Sequence, residues 1–386
     1  MYPNLYYAFK DLFGVELPGF KLINTFGFFV ALSFIAAAFV LTSELKRKSE
    51  EGLLTYKDEK VIVGKPASVL ELVLNFLLGF LFGYKLIGAF IERNELIDTQ
   101  SYILSLRGSW VAGIIGGLVF AFFKWQEKNK VKLAKPEKRT VRIWPQDRVG
   151  DMVIYAFIFG FIGAKIFHNL ENLDDLIRDP VGSLISFSGL TFYGGLIFAT
   201  IAIWRYCKRN NMNPVVVADA FAPPMILAYG LGRIGCQVAG DGDWGIVSTH
   251  PKPFSWLPDW AWAYNYPHNV IGEGMQIPGC TGQYCAMLPA AVFPTPLYEI
   301  FTCLLLFAFL WSIRKKIKTP GVLTAIYLIV NGIERFFIEL IRVNTKYHFF
   351  GINPTQAELI AAFLVISGII LLIHFTRQNK THQLVS

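Results

Sequence analysis

The run Leu22–Thr42, LINTFGFFVALSFIAAAFVLT, contains no charged side chain and is followed at once by the basic stretch Glu44-Leu45-Lys46-Arg47-Lys48. A helix of this length rises about 30 Å, the thickness of a bilayer's hydrocarbon layer. No basic region precedes it and no small-residue cleavage pattern closes it, so it reads as a retained membrane span. Further apolar runs lie at approximately 69–91, 110–126, 151–170, 189–206, 215–235, 296–313, 321–340 and 356–376. The sequence therefore predicts an all-α, polytopic membrane bundle of about nine spans.

Composition agrees with that reading. Of 386 residues, 54% are hydrophobic before the 33 glycines are added, and only 17% are charged. That excess is too large for one compact aqueous core and excludes a soluble nucleotide-binding enzyme. The 36 lysines and arginines against 28 acids give a net charge of +8, but most of the surplus sits in short loops beside apolar runs. It is the pattern of a membrane protein facing an anionic leaflet rather than of a nucleic-acid binder. Lys46–Lys48, the eight basic residues from Lys128 to Arg148, Arg205 with Lys208 and Arg209, Arg314 with Lys315, Lys316 and Lys318, and Arg377 with Lys380 all fall on one side of a nine-span arrangement. The opposite loops are acidic or sparse, as in Glu171–Asp179. Positive-inside bias then places the N-terminus outside and the C-terminus in the cytoplasm.

The chain also echoes itself. Val61–Pro66 (VIVGKP) leads into LNFLLGFLFGYKLIGAF, and Val141–Pro145 (VRIWP) leads into IYAFIFGFIGAKIFHNL, setting Gly83 opposite Gly163 and Lys85 opposite Lys165. The second halves align Gly116-Gly117-Leu118 with Gly194-Gly195-Leu196, so a two-span hairpin reads as duplicated. The expected organisation is an N-terminal segment with the first span (1–68), the extra hairpin with its cytoplasmic loop (69–148), core spans (149–239), an external loop-rich head (240–295), further core spans (296–376) and a cytoplasmic tail (377–386). The head carries Trp256, Trp260, Trp262, Tyr264 and Tyr266, suited either to an interfacial cap or to a peptide-contacting surface. Cys207, Cys236 and Cys303 lie in or beside apolar runs and read as small buried residues. Cys280 and Cys285 share a polar loop, free or disulfide-bonded according to the compartment it faces.

Polarity enters the spans in three places. Ala218–Gly245 (ADAFAPPMILAYGLGRIGCQVAGDGDWG) contains Pro223-Pro224, expected to kink or restart its helix, and Arg233 between glycines, followed by Asp241 and Asp243. Val330–Asn344 (VNGIERFFIELIRVN) sets Arg335, Glu339 and Arg342 at spacings of four and three, so that one helical face would let a single carboxylate hold both arginines. Phe192-Tyr193-Gly194-Gly195 and Pro294-Thr295-Pro296-Leu297-Tyr298-Glu299 each open a span. Charges at such depth line a polar cavity or pair internally, and an arginine's planar fork suits a phosphate better than lysine does. No His-rich or paired-Cys pattern points to a metal, and no Walker-type loop points to ATP.

These stretches resemble the prolipoprotein diacylglyceryl transferase family. The family's G-R-x-G-N-F-x-N-G-E-x-x-G is similar to GRIGCQVAGDGDWG, its His-Gly-Gly to Tyr193-Gly194-Gly195, its H-P-S-Q-L-Y-E to Phe293–Glu299, and its Y-G-x-x-R-x-x-x-E-x-x-R to Asn331-Gly332 followed by Arg335, Glu339 and Arg342. Several polar identities depart: Tyr193 stands for the family histidine, Cys236 and Ala239 for asparagines, Asp241 or Asp243 for a glutamate, Asn331 for a tyrosine, and Phe26 for the tyrosine of the first span. The resemblance implies transfer of a diacylglyceryl group from phosphatidylglycerol to the lipobox cysteine thiol of prolipoprotein signal peptides, in the bacterial inner membrane, among membrane lipids and without cofactor, metal or nucleic acid. It assigns catalysis to Arg233, Arg335, Tyr193, Asp241, Asp243 and Glu339, and substrate binding to Arg342, Glu299, Tyr298, Gly194, Gly195 and Asn331. The competing class is a multi-pass transporter of a lipid or small anionic solute, for which an internal repeat is ordinary.

Overall fold

The computed structural model describes residues 1–91, 102, 105–185, 191–344, 347 and 353–385. Its main elements are α1 (Leu5–Phe13), α2 (Thr25–Glu50), β1 (Lys57–Val63), α3 (Val69–Phe82), α4 (Trp110–Lys130), β2 (Glu137–Ile143), α5 (Val149–Glu171), α6 (Phe192–Arg209), α7 (Pro214–Ala239), β3 (Met275–Gln276), β4 (Ala286–Met287), α8 (Thr295–Ile313), α9 (Val322–Glu339) and α10 (Gln356–Val385). Among the described residues, six helical stretches are long and apolar enough to cross a membrane: Thr25–Glu50, Val69–Ile91, Pro145–Glu171, Pro214–Ala239, Thr295–Ile313 and Gln356–Gln378. The chain is a mostly helical, multi-pass membrane protein. The other three expected spans are also helices, α4, α6 and α9, of 21, 18 and 18 residues. Charged residues such as Lys124, Arg205 and Glu334 make them less apolar than the six.

Two compact units divide the chain. The first comprises Met1–Val30, Asp58–Val141 and Gly232–Leu297; the second comprises Ala31–Lys57, Arg142–Leu231 and Tyr298–Ser386.

In the first unit, α3 continues through a π-helical turn, Gly83–Ile87, and packs against α4. Ser68 starts α3 with a capping box, its hydroxyl accepting from Glu71 while the Glu71 carboxylate takes the Ser68 N–H. Lys85 donates to the carbonyls of Tyr102, Ser105 and Arg107, closing the far end of the hairpin. The two lead-in segments of the repeat, β1 and β2, pair with each other as a two-stranded sheet. The segment after α7 is built on loops around Trp244, Tyr266, Leu288 and Val292, with β3 antiparallel to β4 and a Cys280–Cys285 disulfide. Its aromatics divide by exposure: Tyr266 is buried, whereas Trp256 and Trp260 face outward.

The second unit has two apolar centres. Leu41 and Leu45 of α2 pack with Met152, Tyr206, Val216 and Ala220; Ala222 and Ile226 of α7 pack with Cys303 and Leu310 of α8 and Leu323 of α9. Large apolar side chains such as Leu305, Phe363 and Ile370 remain exposed, as lipid rather than water requires. Pro223 and Pro224 lie inside α7, which runs unbroken from Pro214 to Ala239, so the expected restart does not occur. Asp219 one turn earlier caps α9 instead, accepting from the Gly321 and Thr324 amides at 2.8 Å each.

The hairpins α3–α4 and α5–α6 share backbone detail. The amide at the start of the second helix donates to the carbonyl just before the repeat lysine in both, Ser109 to Tyr84 at 3.0 Å and Thr191 to Ala164 at 3.1 Å. A Cβ on Gly83 would collide with the Ala112 carbonyl, and one on Gly163 with the Gly194 carbonyl. Gly194 thus corresponds to Ala112, not to Gly116 as the glycine pairs suggest. The difference is four residues, one helical turn, which keeps the same face toward the partner helix.

Candidate active site

In the second unit, α6, α8 and α9 bring five of the expected residues together. Glu299, on the first turn of α8, is wholly buried, and its Oε1 accepts from Arg335 Nη1 of α9 at 3.1 Å. Arg335 Nη2 lies 3.0 Å from Glu339 Oε2, four residues on along the same helix. Arg342 Nη1 stands 3.8 Å from the same Glu299 oxygen. Tyr193, on the first turn of α6, lies within electrostatic reach of Arg335, Glu339 and Arg342. One further residue joins: the Tyr229 hydroxyl of α7 donates to Glu299 Oε1 at 2.7 Å.

Glu299, rather than Glu339, is therefore the carboxylate that faces both arginines. The sequence reading extended the helix through Arg342, but α9 ends at Glu339, and a tighter turn follows in which the Arg342 N–H donates to the Glu339 carbonyl at 3.2 Å. Glu339 instead accepts from the Asn344 side chain. Two carboxylates and two guanidiniums balance within this group. Removing one member of such a buried set leaves an uncompensated charge, at a cost of about 3–5 kcal/mol.

The remaining members of the expected substrate set are arranged around these. Asn331 lies one turn before Arg335 on α9, and Tyr298 precedes Glu299 on α8; both are half-buried. Gly194 and Gly195 face α5, where their Cβ positions would lie 2.5 and 2.9 Å from the Gly163 and Gly160 carbonyls. Close helix crossing alone requires them to be small. Tyr229 was missed because a tyrosine in an apolar run gives no sign that its hydroxyl meets a carboxylate on another helix.

In the first unit, Arg233 near the end of α7 makes an ion pair with Asp243 and stands 3.6 Å from Cys236 Sγ. Gly240 and Gly242, both with positive φ, reverse the chain after α7 and return the two aspartates to Arg233. The Thr295 hydroxyl fixes the turn by donating to the Asp243 carbonyl at 2.6 Å. The acids are not equivalent. Asp243 neutralises the guanidinium, whereas burial, and secondarily the Asp243 charge, raises the Asp241 carboxyl above the usual carboxylate range. The donor atoms of Cys236, Asp241 and Asp243 lie within 4.8 Å of one another, a spacing that would suit a cation; the Arg233 guanidinium is the cation the structure places beside them. Gly235 packs on the Phe26 backbone, where a Cβ would come within 3.0 Å.

A family model described as prolipoprotein diacylglyceryl transferase matches residues 129–374. Among curated proteins, the phosphatidylglycerol–prolipoprotein diacylglyceryl transferase of Staphylococcus haemolyticus is 30% identical over 284 residues, covering 73% of this chain and 89% of the relative. The protein of that name from Chlorobaculum tepidum is 30% identical over 239 residues, 58% of this chain and 73% of its own length. One from Staphylococcus aureus is 32% identical over 236 residues, 59% and 74% respectively. The family match includes the second hairpin and begins after α3 and most of α4.

Proposed function

The chain belongs to the prolipoprotein diacylglyceryl transferase family, and on that premise we propose that it moves a diacylglyceryl group from phosphatidylglycerol to the lipobox cysteine of prolipoproteins. The observation that carries this reading is Arg335, held between Glu299 and Glu339 beside the Tyr193 hydroxyl, inside the matched region. The cysteine sulfur attacks the diacylglyceryl carbon that bears the phosphate ester. A C–S bond forms, the C–O bond breaks, and its electron pair leaves on glycerol phosphate. A thiol is mostly protonated at neutral pH, so the step needs a proton acceptor.

Arg233 and Arg335 take the phosphate diester and the charge that develops as it leaves, an effect strongest where water is excluded. Glu339 orients Arg335. Tyr193 donates to a phosphate or glycerol oxygen, and Asp241, with its raised pKa, takes the thiol proton, while Asp243 holds Arg233. Arg342, Glu299, Tyr298, Gly194, Gly195 and Asn331 shape the lipid site. No step calls for a metal or redox cofactor.

The same reading places nine spans in the bacterial inner membrane, with the N-terminus outside, the 240–295 head external and the 377–386 tail cytoplasmic. The Cys280–Cys285 disulfide supports an oxidising side for the head. Residues 69–148 act as an added hairpin preceding the 149–239 and 296–376 core.

Purified protein incubated with phosphatidylglycerol and a lipobox peptide is expected to add a diacylglyceryl thioether, read by mass spectrometry. Vesicle uptake of phosphatidylglycerol or a small anion without any adduct would favour the transporter reading.

A further inference from the structure

Between the end of α7 and the start of α8, the stretch Pro251–Trp260, PKPFSWLPDW, forms a loop that turns three aromatic rings outward. Phe254, Trp256 and Trp260 are 55%, 76% and 53% exposed. Phe254 and Trp256 stack on each other with ring centroids 5.5 Å apart. The loop is closed on itself: Lys252 donates to the Leu257 carbonyl at 3.2 Å and pairs with Asp259 at 2.7 Å, and the Leu257 amide donates to the Phe254 carbonyl at 3.1 Å. Its only two charges, Lys252 and Asp259, therefore neutralise each other. Trp262 faces the other way. Its indole N–H donates to the His250 carbonyl at 2.8 Å, and its ring meets the buried Phe293 edge-on at 5.1 Å. Phe293 stands two residues before α8, one of the helices long and apolar enough to cross a membrane. The loop is thus fixed close to the point where the chain enters the bilayer.

We propose that Phe254, Trp256 and Trp260 form a membrane-docking finger, which rests in the interfacial zone of the lipid bilayer and anchors the 240–295 segment to it. Apolar rings exposed together mark a contact surface. An indole pairs a large apolar face with one N–H donor, the combination that settles at the level of lipid headgroups. A peptide suits the loop less well. Pro251, Pro253 and Pro258 have no N–H to offer an added strand, and the closed charge pair leaves no net charge to select a sequence. A lipid surface asks for neither, and binding to it grows with the apolar area that enters. Docking of this kind needs no particular chemistry at the charged sites, so it stands apart from the transferase reading.

Full-length protein in nanodiscs of phosphatidylcholine and phosphatidylglycerol tests this with a fluorophore on Ser255→Cys, between Phe254 and Trp256, or on Glu273→Cys, an exposed position of the same segment. The native cysteines are buried or bonded to each other, so the label goes to the introduced one. Phospholipid spin-labelled near the headgroup end of its chain is expected to quench the probe at 255 at least threefold more than the probe at 273, with aqueous iodide showing the reverse order. Trp256→Ala combined with Trp260→Ala should bring lipid quenching at 255 down to the level at 273. The comparison of the two probes leaves all three aromatic rings in place, so it decides the matter even where the double variant is unstable. Equal lipid quenching at the two positions, or undiminished quenching at 255 in a folded double variant, would overturn the proposal. So would a probe at 255 that is open to iodide in nanodiscs and shielded only when a lipobox peptide is added, the behaviour of a peptide-binding loop.

Discussion

Arg233 and Asp241 pose the sharpest questions at the scale of single residues. Arg233→Lys keeps the charge but loses the planar fork that meets Asp243 and, in the proposed reaction, the phosphate. Turnover of the purified variant is expected to fall at least tenfold, about 1.4 kcal/mol of transition-state stabilisation; normal turnover would reduce Arg233 to an anchor. The two aspartates separate by pH profile. A base works only when deprotonated, so the rate should rise with pH through the Asp241 pKa, which burial and Asp243 hold above the ordinary value. Asp243→Asn removes a neighbouring negative charge and should move that acid limb to lower pH. Asp241→Asn should abolish the limb along with most of the rate. Tyr193→Phe should cost about tenfold without moving the limb, the size of one hydrogen bond beside a charge. A Tyr193→Phe protein recovering only in alkali would instead make Tyr193 the base.

Among the helices, one contact sensitive to a single atom is the crossing of α5 and α6. Gly163 and Gly194 face each other so closely that either Cβ would come within 2.5 Å of the opposite carbonyl. Gly163→Ala is expected to destabilise by about 1–3 kcal/mol, the usual cost of overpacking, seen as a lower thermal midpoint in detergent. Gly150→Ala, at the start of the same helix with nothing within 4 Å of the added carbon, should be neutral or slightly stabilising through helix propensity. Equal effects at both positions would show that the crossing does not set stability. The extra hairpin repeats the arrangement at Gly83 and Ala112, so Gly83→Ala is expected to behave like Gly163→Ala.

For the whole molecule, the testable quantity is which loops face outward. A membrane-impermeant thiol reagent should label cysteines placed in 91–108, 171–187 and 248–292 in intact cells, and those in 127–148 only after permeabilisation. Cys207, Cys236 and Cys303 are buried and Cys280 is bonded to Cys285, so native background should be low. Lys132→Cys labelling as readily as Asp175→Cys in intact cells would overturn the nine-span topology. The positions 92–101, 103–104 and 186–190 lie outside the described residues, and labelling would place them independently.

By itself the sequence determined the class of solvent, the helical character and the family. Long uncharged runs, basic loops and an arginine between glycines are local or periodic signals, and each survives being read one residue at a time. The likeness of the two hairpins was also legible, because both carry a similar lead-in and a lysine at matching places. Tertiary structure decided what depends on groups far apart along the chain. Glu299 faces both Arg335 and Arg342 because α8 brings it beside them, a contact that no spacing within one helix reveals. Asp243 rather than Asp241 neutralises Arg233 because Gly240 and Gly242 turn the chain by a particular amount. Tyr229 reached the site only through the packing of α7 against α8, shown by the Tyr229–Glu299 bond. A hydroxyl in an apolar run has no sequence signature until the carboxylate it meets is brought to it.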